Sequence, residues 1–243
     1  MQQESARRMA HTIRALLLSS FVLLSATAFG QQSYVGRYDV YGGYSFLNSS
    51  NINLAEHGVQ TQVGMRLRTW VSLGFDFTAA TGDASLSPGL LPTALQQQLG
   101  AQLGQLVAAG VIPSNYSLVV PLSSTTQTYS AGTQFSYRHF KAVTIFFRPD
   151  LGAIHENAVP HPTDPIATAI VAQLAPTGKK QDWTYFYGFG GGFDFNITPH
   201  FSLRVQADLV RDHLFNDLLR DARNTVRFSI GPGFQFGRNV AAR

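Results

Sequence analysis

Residues 201–210, FSLRVQADLV, and residues 225–236, TVRFSIGPGFQF, carry the pattern on which the fold turns. In the first, Phe201, Leu203, Val205, Ala207 and Leu209 alternate with Ser202, Arg204, Gln206 and Asp208. In the second, Val226, Phe228, Ile230, Phe234 and Phe236 alternate with Arg227, Ser229, Gly231, Gly233 and Gln235. Strand side chains point alternately to opposite faces, so each segment has one oily side without charge and one polar side. The alternation recurs in eight segments between Tyr38 and Phe236. Segments such as Trp183 to Asn196 reach or exceed the roughly 9–11 residues that a tilted strand needs to cross a bilayer. A sheet in water shows the same alternation when one face packs on a core, so the pattern does not by itself name the solvent.

The connections do. The sequence predicts a long first joint (Leu47 to His57), a tight one around Thr69 and Trp70, and a very long one from Ala79 to Ser124. A short joint around His139, Phe140 and Lys141 follows, then a long one from His155 to Asp182. The last two are short (Ile197 to His200) and medium (Arg211 to Asn224). A meander places alternate joints at opposite ends, so one end carries turns and the other loops, as in outer-membrane barrels. In hydrocarbon an open sheet edge would leave unpaired backbone groups, each costing several kcal/mol, so the strands must close. The expectation is an all-β protein: an eight-stranded antiparallel up-and-down transmembrane β-barrel with short helices in the long outer loops. Tyr44, Phe46, Phe75, Phe77, Phe135, Phe147, Phe189, Phe193 and Phe195 would then face lipid, with Trp70, Trp183, Tyr185 and Tyr129 in girdles near strand ends. The alternative is a water-soluble barrel with its apolar face inward, which the loop asymmetry fits poorly.

The first thirty residues point the same way. Arg7, Arg8 and Arg14 precede the apolar run Ala15 to Leu24, followed by Ala26, Thr27 and Ala28. That is the layout of a cleaved signal peptide over residues 1–30, with cleavage after Ala28 or Gly30, and the run is too short for a spanning helix. The Arg7–Arg8 pair hints at twin-arginine export, but the rest of that motif is missing and Sec export fits better. The barrel domain then occupies residues 31–243. Losing the leader removes three Arg and one Glu and lowers the formal net charge from +4 to +2, which gives no case for nucleic-acid binding. The chain has no cysteine, so burial and hydrogen bonds alone must hold an exported domain together.

If lipid lies outside, the lumen holds Asp39, Arg66, Asp76, Arg148, Asp150, Asp194, Arg204, Asp208 and Arg227, with Gln62, Gln134 and Gln206. Eight strands enclose only enough room for side chains, and the planar fork of Arg pairs well with carboxylates. These residues read as an ion-pair core in place of a hydrophobic one, with a partly water-filled lumen as the other option. Gly188, Gly190 and Gly192 fall on the lumen face of the sixth segment, opposite Arg204, Gln206 and Asp208 in a simple hairpin register. Either Arg148 or Arg204 fills the space they leave, or the glycines serve curvature. Pro149 and Pro232 fall inside strands, and a bulge at Gly231 to Gly233 would accommodate the second.

The segment Tyr187 to Phe195 (YGFGGGFDF), the turn and strand Ile197 to Arg204 (ITPHFSLR), and the closing Phe228 to Phe236 (FSIGPGFQF) together resemble the small outer-membrane β-barrels of the OmpA/OmpX type. The resemblance spans the mature chain. It implies that Phe228, Ile230, Phe234 and Phe236 form the C-terminal signal read by the barrel assembly machinery, although Gly237 to Arg243 follow it here. It implies no cofactor.

Two long loops contain helical stretches. Thr93 with Gln96 suggests a capping box on a stripe of Leu91, Leu95, Leu99, Leu103 and Val107, and Asp164 with Pro165 begins a shorter helix through Ile166, Ile170 and Leu174. These helices either pack on each other and cap the barrel mouth or bind a partner or lipid. Acid–histidine neighbours occur at Glu56–His57, His155–Glu156 and Asp212–His213, all expected in outer loops. No G-x-S-x-G, H-E-x-x-H or Walker motif accompanies them. The functional expectation is a non-enzymatic outer-membrane anchor with periplasmic termini that displays loops to the exterior. Its partners would be outer-membrane lipid and lipopolysaccharide, the assembly machinery during biogenesis, and an unidentified loop ligand. The alternatives are a narrow channel for small or apolar solutes and a lipid- or peptide-hydrolysing enzyme, whose histidines would be His155 or His213.

Overall fold

The computed structural model describes residues 32–241, so the leader expected over residues 1–30 lies outside the described residues. Eight strands run in chain order: β1 (Gly36–Ser49), β2 (Leu54–Arg66), β3 (Val71–Leu86), β4 (Val120–Tyr137), β5 (Val143–Pro160), β6 (Lys180–Asn196), β7 (Phe201–Asp212) and β8 (Arg223–Asn239). Each pairs antiparallel with the next, and β8 returns to β1 through pairs such as Tyr44 with Ile230 and Val40 with Phe234, closing the barrel. Among the described residues no helix is long and apolar enough to cross a membrane.

The alternation sets the polarity of the wall. Val59, Val63, Phe75, Phe147, Leu151, Phe189, Phe228 and Phe234 are exposed on the outside. Their strand neighbours Gln60, Gln62, Asp76, Arg148, Asp150, Arg227 and Ser229 are buried inside. Polar inside and apolar outside is the inverse of a barrel built for water. Aromatic rings mark both edges of the apolar band. At the turn end Trp70 stacks on Phe135 at 6.3 Å, and toward the loop end Tyr129 stacks on Trp183 at 6.1 Å. The stretch of β4 from Tyr129 to Tyr137 is about 26 Å of strand, or about 20 Å of height at a tilt of ~40°, close to the band expected for such barrels.

The wall does not stop at that upper girdle. Tyr129 lies in the middle of β4, not near its end, and β3, β4 and β5 continue to Leu86, Val120 and Pro160. The loops are therefore shorter than the sequence suggests, residues 87–119, 161–179 and 213–222, and the first joint shrinks from Leu47–His57 to residues 50–53. Apolar side chains on the lumen side near this end, Leu47, Leu54, Ile154 and Val210, break the polar–apolar alternation and hide the strand ends from a sequence reading.

Pro149 and Pro232, well inside their strands, are each tolerated by a local gap in one ladder. Around Pro149 the β4–β5 pairing holds at Gly132 with Asp150 and at Phe135 with Phe147 but lapses between, while Pro149 still pairs with Phe189 of β6. Around Pro232 the β1–β8 pairing lapses between Tyr41–Gly233 and Tyr44–Ile230 with no change of register. The bulge expected at Pro232 is thus absent. A missing N–H removes a hydrogen bond without displacing the strand. Gly43 and Gly231 lie against each other's strands there: a Cβ on Gly231 would meet Gly43 and the Gly42 carbonyl.

The loop helices are α1 (Thr93–Ala108) and α2 (Pro165–Leu174). α1 begins after Pro92 with Thr93 inside its first turn, so Thr93 does not act as the cap; Gln96 Nε2 instead donates back to the Leu91 carbonyl at 2.8 Å. α2 is capped as expected, with Asp164 Oδ1 accepting from Ile166 N at 2.9 Å and Ala167 N at 2.8 Å. Leu91 and Leu99 from the α1 region pack with Leu118, Val120, Ala167 and Ile170, so the two helices share one apolar core.

Candidate functional site

The lumen is organised in tiers of charge. At the turn end, Arg204 of β7 donates through Nε and Nη2 to both oxygens of Asp194 on β6, at 2.6 and 3.0 Å. These residues are register partners, which is why the pairing is two-pronged. The Arg204 Nη1 donates to Gln62 Oε1 at 2.5 Å, and its Nη2 lies 3.8 Å from Asp39. Its guanidinium covers the Phe146 ring at 4.7 Å and Tyr41 at 5.4 Å. Arg66 donates to the Gly36 carbonyl at 2.6 Å and stands 3.6 Å from Asp39. Below them Arg138 joins Gln32 (3.1 Å), Thr144 (3.2 Å) and the Thr69 carbonyl (3.0 Å).

In the middle tier Arg148 of β5 reaches across to Asp76 of β3, with Nη1 and Nη2 each 2.9 Å from a carboxylate oxygen. Arg227 of β8 holds Asp208 of β7 at 2.9 and 3.0 Å and donates to Thr78 at 3.0 Å and Thr128 at 3.3 Å. Asp150 sits between both arginines, 3.7 Å from Arg148 and 3.9 Å from Arg227. All nine lumen charges named from sequence are buried, and these contacts bring them into two connected groups.

The glycine column of β6 is only partly a set of side-chain gaps. Gly190 pairs with Asp208 and Gly192 with Gln206, but Gly188 pairs with Val210, while Arg204 faces Asp194. The space over Gly190 belongs to the Asp208 carboxylate, not to Arg148 or Arg204, although Arg148 Nε comes within 3.9 Å of that carboxylate. A Cβ at Gly188 would meet the Leu209 carbonyl at 2.7 Å, and one at Gly192 would meet the Val205 carbonyl. Those two positions serve close backbone approach.

A third tier was not legible in the sequence. Glu56 of β2, Glu156 of β5 and Asp212 of β7 are buried, and Arg223, the first residue of β8, bonds Glu156 and donates to Asp212 at 3.2 Å. Thr126 donates to Glu56 at 2.9 Å and Ser124 to Glu156 at 3.0 Å. These acids were expected in solvated loops beside His57, His155 and His213. Instead they point into the barrel and the histidines point out: His57 and His213 are exposed, and His155 stacks on Trp183 at 4.5 Å. For the first two pairs the cause is strand geometry, which sends adjacent side chains to opposite faces and separates each acid from its histidine. His213 follows the last residue of β7 and also points away from the acid beside it.

Just below this tier Ile154, Phe186 and Val210 face inward, and Leu214 and Phe215, from the β7–β8 loop, pack on them. Between that layer and α2 lies an apolar cavity of about 90 Å³, with Leu86, Leu122, Val171, Leu174 and Leu218 in its wall. The spaces found within the charged tiers are near 10 Å³ each, about the room that a single water needs. Among the described residues no group of three or more His, Cys, Asp or Glu is arranged to hold a metal ion.

On the loop cap, Tyr116 donates to Asp164 at 2.9 and 3.1 Å. Burial and then this hydrogen bond raise the Tyr116 hydroxyl above its ordinary range. The Asp164 carboxyl is held below its ordinary range, first by the Ala167 N–H. The closing apolar residues Phe228, Ile230, Phe234 and Phe236 all lie exposed on the outer face of β8.

A closed barrel, oily outside and ion-paired inside, defines the class: a small membrane-spanning β-barrel of the outer-membrane type. Among solved structures the chain is similar to Ail, the attachment invasion locus protein of Yersinia pestis, at 16% identity over 83% of this chain and 99% of that one, with a TM-score of 0.45. It is also similar to Neisserial surface protein A (10% identity, 82% and 96% covered, TM-score 0.48). OprG from Pseudomonas aeruginosa is a third (10% identity, 86% and 99% covered, TM-score 0.49). Neither a protein-family model nor a curated protein matches the sequence.

Proposed function

We propose that this chain is a sealed, non-enzymatic anchor in the bacterial outer membrane, with its turn end in the periplasm and its helix-bearing loops displayed outside. One observation carries the reading: Arg204, Arg148, Arg227 and Arg223 bridge the lumen between strands at successive heights, and the spaces found around them are near 10 Å³, about one water each. An ion crossing the barrel would have to displace these buried pairs, each step exposing an uncompensated charge in a medium of low dielectric. The closing aromatic strand supports engagement by the barrel assembly machinery, and the outer apolar band supports contact with membrane lipid and, above the upper girdle, with lipopolysaccharide. The opposite pointing of each acid and its neighbouring histidine speaks against a hydrolase built on those pairs.

Conductance of the purified, refolded mature chain in a planar bilayer tests the reading. Inserted barrels without discrete current steps are expected. Steps whose size changes on replacing Arg148 or Arg227 would make the narrow channel the function and the lumen arginines its selectivity determinants.

A further inference from the structure

Charge outside the lumen is sorted by end. Among the described residues every acidic side chain outside the three lumen tiers, Asp83, Asp164, Asp182, Asp217 and Asp221, lies at the loop end. The charged side chains that ring the turn end are all basic: Arg68, Lys141 and Arg238 are exposed and Arg37 is half-buried. Arg138 also lies at that end but turns inward to Gln32 and Thr144. None of the four ring residues has an acidic partner among the described residues, whereas at the loop end Lys180 pairs with Asp217 at 2.5 Å and Arg220 with Asp221 at 3.0 Å.

The four are also placed at one depth. Arg37 adjoins Tyr38, Arg68 lies two residues before Trp70, Lys141 follows Phe140, and Arg238 lies two residues after Phe236. Tyr38, Trp70 and Phe236 are exposed on the outer wall and belong to the aromatic edge of the apolar band. Aromatic rings of that kind sit at headgroup level. Basic side chains just beyond them stand where lipid phosphates lie, and long Lys and Arg stems extend toward that layer while their alkyl parts stay on apolar surface.

From this we infer that the turn end is a docking surface for anionic phospholipid headgroups, formed by Arg37, Arg68, Lys141 and Arg238. The inference rests on the membrane orientation proposed above and adds to it the lipid that the periplasmic leaflet supplies. Attraction of this kind is long-ranged at low salt and fades within a few ångströms at about 1 M salt, where the screening length is about 3 Å.

The test uses the refolded mature chain in vesicles of phosphatidylcholine alone and of phosphatidylcholine with phosphatidylglycerol, and reads the temperature at which the heat-resistant barrel band converts to the unfolded one. The native chain should convert several degrees higher with phosphatidylglycerol at low salt, and the gain should vanish at high salt. A variant with Arg68→Gln, Lys141→Gln and Arg238→Gln should lose the gain, while one with Lys179→Gln and Arg211→Gln at the loop end should keep it. Equal conversion temperatures in both lipids would overturn the inference, as would loss of the gain in the loop-end variant alone. A chain that forms no heat-resistant barrel in either vesicle would overturn the membrane reading and this inference together.

Discussion

The Asp208 carboxylate lies in the volume that any side chain at position 190 would need, and Gly190 is its register partner across the β6–β7 ladder. From there it holds Arg227 at 2.9 Å and approaches Arg148, so one missing side chain lets an acid stand between two arginines in the middle of the barrel. Replacing Gly190 with Leu would expel that carboxylate. Breaking a buried pair costs about 3–5 kcal/mol. Gly190→Leu is therefore expected to lower the urea midpoint of the refolded barrel sharply or to prevent refolding; an unchanged midpoint would show that the tier rearranges freely.

The pairing of Arg204 with Asp194 allows a double replacement. Arg204→Met alone leaves Asp194 buried without its cation and should cost about 3–5 kcal/mol. Adding Asp194→Leu removes the stranded charge and should recover most of the loss, since an apolar pair of similar volume is often neutral or better. Equilibrium unfolding of the two variants and the native chain measures this. A double variant as weak as the single would mean that Gln62 and Asp39, not Asp194, give Arg204 its value.

The outer wall should show a depth gradient. Phe189 lies roughly midway between the Trp183 girdle and the end of β6 at Asn196, and Phe193 lies close to that end. An arginine facing lipid costs about 2–4 kcal/mol at the midplane and about 0–1 near an interface. Phe189→Arg should thus destabilise markedly more than Phe193→Arg in the same unfolding assay. Equal costs would place the membrane band elsewhere on the barrel.

The α2 cap should respond to acid. Because Asp164 titrates below the ordinary carboxylate range in the folded loop, its contribution is fully present above that range and is lost as pH falls through the depressed folded value. Protection of the Ile166 and Ala167 amides in hydrogen exchange should decline over that acid window in the native chain. Asp164→Asn, which caps as well without titrating, should make protection nearly independent of pH. The same acid-dependent decline in the Asn variant would assign the loss to another group.

The sequence by itself determined the wall. Period-2 alternation is local, so it assigned the strand-borne arginines and aspartates of the two lower tiers and the lipid-facing aromatics, though not Arg138 beyond the end of β4, and the run of short joints fixed the meander. Only the closed barrel decided the rest. Glu156 and Arg223 meet across 67 positions of chain, and their neighbours Ile154 and Val210 are apolar residues that face inward, so nothing periodic announced a third tier. Which carboxylate each arginine holds depends on inter-strand register and on reach across the lumen, as for Arg148 and Asp76 from strands that are not adjacent. Alternation tells a side chain which face to occupy; partners across a barrel are chosen by how eight strands stagger when they close, a relation that no single strand contains.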